Sequence, residues 1–130
     1  MNRPWKLFAM LSLSALALAI AVPVALASAA RVATLKPVSG HPGARGTAHY
    51  QSQPGQRELD VEVNHLSSLA GKRVFVYVAG WKIGATRVSS SGVVELSRNA
   101  EVGQRVPQVQ AGTPIAVATG KAVILAGSFH

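Results

Sequence analysis

Cysteine is absent from the chain, so neither a disulfide nor a thiolate-held metal supports the fold, and stability has to come from apolar packing. Also missing are a phosphate-cradling P-loop, a glycine-rich dinucleotide fingerprint and a Gly-x-Ser-x-Gly elbow, which removes three common chemistries from consideration. The four histidines do not supply a metal signature. His41 and His49 are separated by a Pro-Gly loop, while His65 and His130 lie elsewhere, and no His-x-His or His-x-x-x-His spacing occurs. No metal and no cofactor are expected. Nor does any stretch beyond residue 30 carry a sustained helical period.

Charge is lacking from Leu7 through Ala30, directly after the basic pair Arg3 and Lys6. This is the pattern of a secretion signal: a Leu/Ala-rich segment to Ile20, a break at Pro23, and small residues at Ala25 and Ala27 where a signal peptidase reads. Residues 1–27 are therefore expected to be a signal peptide, with a second cleavage register after Ala29, and residues 28–130 a single domain. The same uncharged run is long enough to span a bilayer, so the competing expectation is an uncleaved anchor carrying an external domain. With no cysteine behind the apolar segment, a lipid-anchored lipoprotein is excluded. The expected location is secreted or periplasmic.

Acidic residues are scarce. The chain has five Asp and Glu against 13 Lys and Arg, and because two of the basic residues lie in the leader, 11 remain in the domain, a net charge of +6. Such an excess favours anionic partners, and in a secreted domain it also promotes solubility.

What is present is strand pattern. Leu59, Val61 and Val63 alternate with Glu58, Asp60, Glu62 and Asn64, the period of a half-buried strand, and Val74, Val76 and Val78 alternate with Phe75 and Tyr77, apolar on both faces. These two runs read as the middle hairpin of the domain. A Pro54-Gly55 turn joins the first of them to the strand 46–52, with Tyr50 facing Leu59, His49 facing Asp60 and Ala48 facing Val61. Further strands are expected at 31–36, 81–88, 93–97, 113–119 and 121–126, with a bulge or close approach at Gly84-Ala85. Residues 98–112 are expected to form a packed loop anchored by Val102, Val106 and Val109. The fold class is all-β, an antiparallel β-sandwich, immunoglobulin-like or small and barrel-like. Leu59, Val61, Val63, Val76, Leu96, Ile115 and Val117 should share its core.

Three places carry candidate chemistry. Glu58, Asp60 and Glu62 form one acidic face, but alternate residues of a strand lie about 7 Å apart, too far to share a proton, and basic neighbours across the strands would neutralise them. A glycosidase reading needs a cleft that the sequence does not display. Trp81, between Gly80 and Gly84, is a possible aromatic contact for a sugar or base, against the commoner role of plugging a core. In an up-and-down run of strands, turns alternate between ends. One end then gathers Lys72, Arg73, Arg87 and Lys121 with His65, and the other Arg57, Lys82, Arg98 and Arg105, diluted by Glu101. The first set is the candidate anionic-ligand site, weighed against a solubilising role for turn lysines and arginines.

Gly46-Thr-Ala-x-Tyr50, Leu59-x-Val-x-Val63, the run from Val76 through Val78 to Gly80, Val106-Pro-x-Val-x-Ala-Gly112 and Leu125-Ala-Gly-Ser-Phe129 together resemble a type found among small exported bacterial all-β proteins of unassigned function. The resemblance implies a β-sandwich and transfers no catalytic residue. The expected function is an exported binding or structural module of the bacterial cell envelope, not an enzyme. Its expected partner is an anionic polymer or another envelope protein, without specific nucleic-acid recognition. The alternative is a small secreted hydrolase acting on a carbohydrate.

Overall fold

A computed structural model of the chain describes residues 28–130. The expected signal peptide, residues 1–27, lies outside them. Eight strands follow in chain order: β1 (Ala29–Pro37), β2 (Arg45–Gln53), β3 (Gln56–Asn64), β4 (Arg73–Val78), β5 (Trp81–Arg87), β6 (Val94–Asn99), β7 (Pro114–Ala118) and β8 (Val123–Ser128). They form one antiparallel sheet in the order β5-β4-β7-β8-β1-β2-β3-β6. Its two outer members, β5 and β6, also lie against each other, so the sheet nearly closes on itself. The architecture is the expected all-β one, in its barrel-like form.

The β2–β3 hairpin keeps the anticipated register, Tyr50 opposite Leu59, His49 opposite Asp60 and Ala48 opposite Val61. Its turn works because Gly55 takes a φ of 75°, open to glycine at no steric cost, after Pro54 has fixed the preceding corner. Alternation then decides the inside of the barrel. Leu59, Val61, Val63, Val76, Leu96, Ile115 and Val117 are all buried in one apolar cluster, as their periodicity requires. Tyr50 packs edge-on against Phe129, ring centroids 6.4 Å apart.

Two expectations about connectivity are corrected. The runs forming β3 and β4 are not a hairpin: β6 takes the second edge of β3, with Val61 opposite Leu96, while β4 lies between β5 and β7. The physical reason is the linking segment. Rather than reversing tightly, residues 65–72 form a 3-10 turn at Ser67–Leu69 and bury Leu66 in the end of the core, with Leu69 partly covered beside it. The path is likewise no simple meander, since β4, β5 and β6 lie side by side and β7 returns to pair with β4, a Greek-key route.

Consecutive strands nevertheless alternate in direction, because every pairing is antiparallel. The connections 38–44, 65–72, 88–93 and 119–122 therefore lie at one end of the barrel, and 54–55, 79–80 and 100–113 at the other.

The long connection does plug its end of the core, through buried Val106 and Val109. Val102, expected as a third anchor, is instead 71% exposed. It sits in a short 3-10 turn that Asn99 caps by accepting from the Glu101 amide at 2.8 Å, and Gly103 then turns the chain at φ 87°, which leaves Val102 facing outward.

The small residues of β5 have their predicted role. A register shift occurs opposite them, between Val76 and Tyr77. A side chain at Gly84 would meet the guanidinium of Arg98, at 2.5 Å from its Nη2. Arg98 donates from Nε to the Ile83 carbonyl at 3.0 Å and from Nη1 to its own neighbour, the Ser97 carbonyl, at 3.1 Å. One arginine of β6 thus covers the glycine of β5 and ties the two strand edges together.

Candidate functional site

Strand alternation places Lys72, Arg73, Arg87 and Lys121 at one end of the barrel, as their spacing predicts. Arg73 and Arg87 are directly opposite each other in the β4–β5 ladder. The ladder is extended by backbone bonds from Gly71 N–H to the Val88 carbonyl at 2.8 Å and from Val88 N–H to the Lys72 carbonyl at 2.9 Å, which fixes Lys72 next to that pair. Arg87 also donates from Nη1 to the Gly71 carbonyl at 2.9 Å, holding one guanidinium against the turn. On the other side of β4, Phe75 is paired with Ala118 at the end of β7, and this brings the 119–122 turn with Lys121 alongside. The turn is shaped by Thr119, whose hydroxyl accepts from the amides of Lys121 and Ala122, both at 3.3 Å.

All four side chains are exposed. Arginines directly opposite each other repel, so the ladder carries a local electrostatic cost that an anion would relieve. The four connections at this end contain no carboxylate. Two further basic residues belong to the same end: Lys36 near the close of β1, and Arg45 opening β2. Counting strand ends only from β3 onward missed them; the same count applied to the first two strands finds both. Arg45 donates from Nη1 to the carbonyls of Pro42 at 3.0 Å and Ala44 at 2.6 Å. His65, at φ 67°, and His41, 3.3 Å from the Ser68 hydroxyl, also lie at this end.

The opposite end is basic in composition but not in the same manner. Arg57 is half-buried and donates to the Val106 carbonyl at 2.8 Å, gripping the plug loop, and Arg98 closes the β5–β6 seam. Arg105 lies over the ring of Trp81 at 5.3 Å, and Lys82 over that of Phe75 at 5.0 Å. Each cation that the sequence assigned to this end is engaged with a carbonyl or a ring. Trp81 itself does not plug the core: it is 59% exposed at the tip of the β4–β5 hairpin.

The acidic face is also organised differently from expectation. The neighbours of Glu58, Asp60 and Glu62 across β2 are Gln51, His49 and Thr47, and across β6 they are Asn99, Ser97 and Glu95. None is a lysine or arginine, so the anticipated neutralisation fails, and Glu62 faces a second carboxylate directly. Neutral donors take the place of cations: Gln56 and Asn99 donate to Glu58 Oε2 at 2.6 and 3.3 Å, and Ser97 donates to Asp60 Oδ1 at 2.6 Å. A cleft of about 370 Å³ on this wall is lined by Thr47, His49, Asp60, Val61, Glu62, Glu95 and Ser97. Another, of about 420 Å³, runs along the seam between Arg87 and Glu95. Four of the five carboxylates thus lie on the wall of β3 and β6, while Lys36, Lys72, Arg73 and Lys121, which have no side-chain partner among the described residues, lie together at one end. Compared with protein-family models and with curated proteins, the chain matches none.

Proposed function

We propose that this protein is an exported binding module whose basic end contacts an anionic polymer of the cell envelope, one bearing phosphate or carboxylate groups. The observation that carries the reading is the facing pair Arg73 and Arg87, flanked by Lys72 and Lys121 on exposed turns without a carboxylate among them. Side chains displayed in this way on turns suit many weak, screening-sensitive contacts along a chain of like charges, which multiply through the high local concentration of neighbouring groups. They do not converge on a bond to be broken, and the proposed role is binding without catalysis. Solubility alone would be served as well by cations at either end, whereas Arg57, Arg98, Arg105 and Lys82 each lie against a carbonyl or a ring, and at the basic end only Arg45 and Arg87 do, which leaves Lys36, Lys72, Arg73 and Lys121 without a side-chain partner among the described residues.

Export is part of the proposal and rests on the leader pattern of residues 1–27. Intact-mass measurement of the protein recovered outside the cytoplasm should give a chain beginning at Ser28. A membrane-held species retaining Met1 would establish an anchored external domain instead.

The binding test compares two equal changes of charge. Lys72→Gln with Lys121→Gln removes two cations from the basic end, and Lys82→Gln with Arg31→Gln, near the start of β1, removes two from the other. On a phosphate-bearing resin at low salt, the first pair should lose most of its retention and the second should elute close to the parent. Equal losses would show that net charge alone governs retention and would remove the site.

A further inference from the structure

Trp81 stands out at the end of the barrel away from the basic turns. It is the large aromatic side chain most open to solvent among the described residues, 59% exposed. Its position is set by a strained turn: Val78 pairs with Trp81, and the two residues between them, Ala79 at φ 53° and Gly80 at φ 84°, both occupy the left-handed region. A two-residue hairpin of this kind twists with its strands and is ordinarily built on Asn-Gly or Gly-Gly. Here an alanine is forced into it and held by a bond from its amide to the Pro114 carbonyl at 2.9 Å. Backbone held in this region by its surroundings recurs at ligand sites.

The second element comes from the 100–113 connection. Arg105 extends its guanidinium over the indole, 5.3 Å from the ring centroid, and makes no hydrogen bond to any described residue. A guanidinium held over a ring without hydrogen bonds keeps its N–H donors free, and their planar fork is the geometry that grips a carboxylate or phosphate in two-point fashion. One face of the indole is thereby covered by a cation. With 59% of Trp81 exposed, the indole keeps surface open to a ring beside the cation.

We propose that Trp81 and Arg105 form a receptor for one acidic sugar unit: the indole face stacks on the saccharide ring, and the guanidinium edge takes the carboxylate or phosphate the unit carries. A single exposed indole suits one ring. Sequence-tolerant binding of a single-stranded nucleic acid uses a succession of aromatic platforms, and Phe75 and Tyr77, the nearest ring-bearing neighbours along the hairpin, are half-buried. The receptor is separate from the basic turns and does not require them.

The test uses the full chain with Trp5→Phe, so that Trp81 is the sole indole and its emission reports the site directly. Tetragalacturonate is titrated against it, with cellotetraose as the uncharged probe and a ten-nucleotide oligothymidylate as the nucleic-acid probe. Tetragalacturonate should produce a saturable change in emission. Arg105→Ala should weaken that binding at least tenfold, and Arg105→Lys should restore only part of it, because a lysine keeps the charge and loses the planar fork. Replacing Lys72, Arg73, Arg87 and Lys121 by Gln should leave the affinity within about twofold, which separates this site from the basic end. Circular dichroism of each variant confirms that the sheet is retained. Absence of a saturable response to tetragalacturonate, an equal response to cellotetraose, a stronger response to the oligonucleotide, or an Arg105→Ala variant that is folded and binds like the parent would each overturn the proposal.

Discussion

At the closure of the barrel Arg98 of β6 lies over Gly84 of β5 and bonds the Ile83 carbonyl, and a double-mutant cycle on Arg98 and Gly84 measures that contact. Arg98→Ala removes the donor to the Ile83 carbonyl and empties the space above Gly84, and leaving such a carbonyl without its partner costs about 1–3 kcal/mol. Gly84→Ala attacks the same contact from the other strand. Its methyl would lie 2.5 Å from Nη2 and 2.9 Å from Cζ of Arg98, so the guanidinium has to swing away and surrender the same bond, at a cost of about 1–3 kcal/mol. In the double variant the arginine is gone, and the new methyl occupies part of the vacated space. The combined loss should therefore fall short of the sum of the single losses by about 1–2 kcal/mol, within the range seen for residues in direct contact. Urea denaturation of the four proteins supplies the values, and against a total stability of about 5–15 kcal/mol each shift is large enough to resolve. Costs that add to within about 0.5 kcal/mol would show that Arg98 and Gly84 do not meet, and that something else holds the seam.

Three further substitutions test the rest of the fold. Val61→Asp places a charge in the centre of the apolar cluster, where Val61 is 3% exposed, and an unpaired charge there costs several kcal/mol; the variant should fail to give a cooperative thermal transition. Tyr50→Phe should raise stability by about 1 kcal/mol in urea denaturation, because the Tyr50 hydroxyl is buried without a hydrogen-bond partner among the described residues while the ring packing on Phe129 is kept. Glu95→Lys turns the repulsive pair with Glu62 into an attractive one and should stabilise by about 0.2–1 kcal/mol at low salt, an effect that shrinks as salt is added.

Local pattern carried the information about which residues face inward. The alternation around Val61 and the Pro54-Gly55 turn were enough to fix the β2–β3 register to the residue, because a period of two leaves no freedom once one face is buried and the turn length is known. Partner choice was not legible in the same way. Nothing in Val74 to Val78 states whether its neighbour is β3 or β7, since backbone ladders accept any strand of suitable length and the decision rests on how Leu66 and Leu69 pack in the intervening loop. Strand direction survives this ambiguity, and so the clustering of Lys72, Arg73, Arg87 and Lys121 could be read from turn counting even though the order of strands could not. The engagement of Arg98 with β5 and of Arg105 with Trp81 depends on contacts across 15 and 24 residues of chain, and no spacing rule reaches them. The missing neutralisation of the acidic face has a similar origin. It followed from β6 being the neighbour of β3, which brought Glu95 opposite Glu62.

The central claim, that the end formed by residues 38–44, 65–72, 88–93 and 119–122 receives an anionic polymer, is tested most directly by amide NMR of the isotope-labelled protein titrated with polyphosphate at low salt. The predicted shift changes are confined to those four connections and the adjoining Arg73 and Arg87, and they fade as salt rises. Changes centred on residues 54–55, 79–80 and 100–113, or spread evenly over all exposed cations, would contradict it.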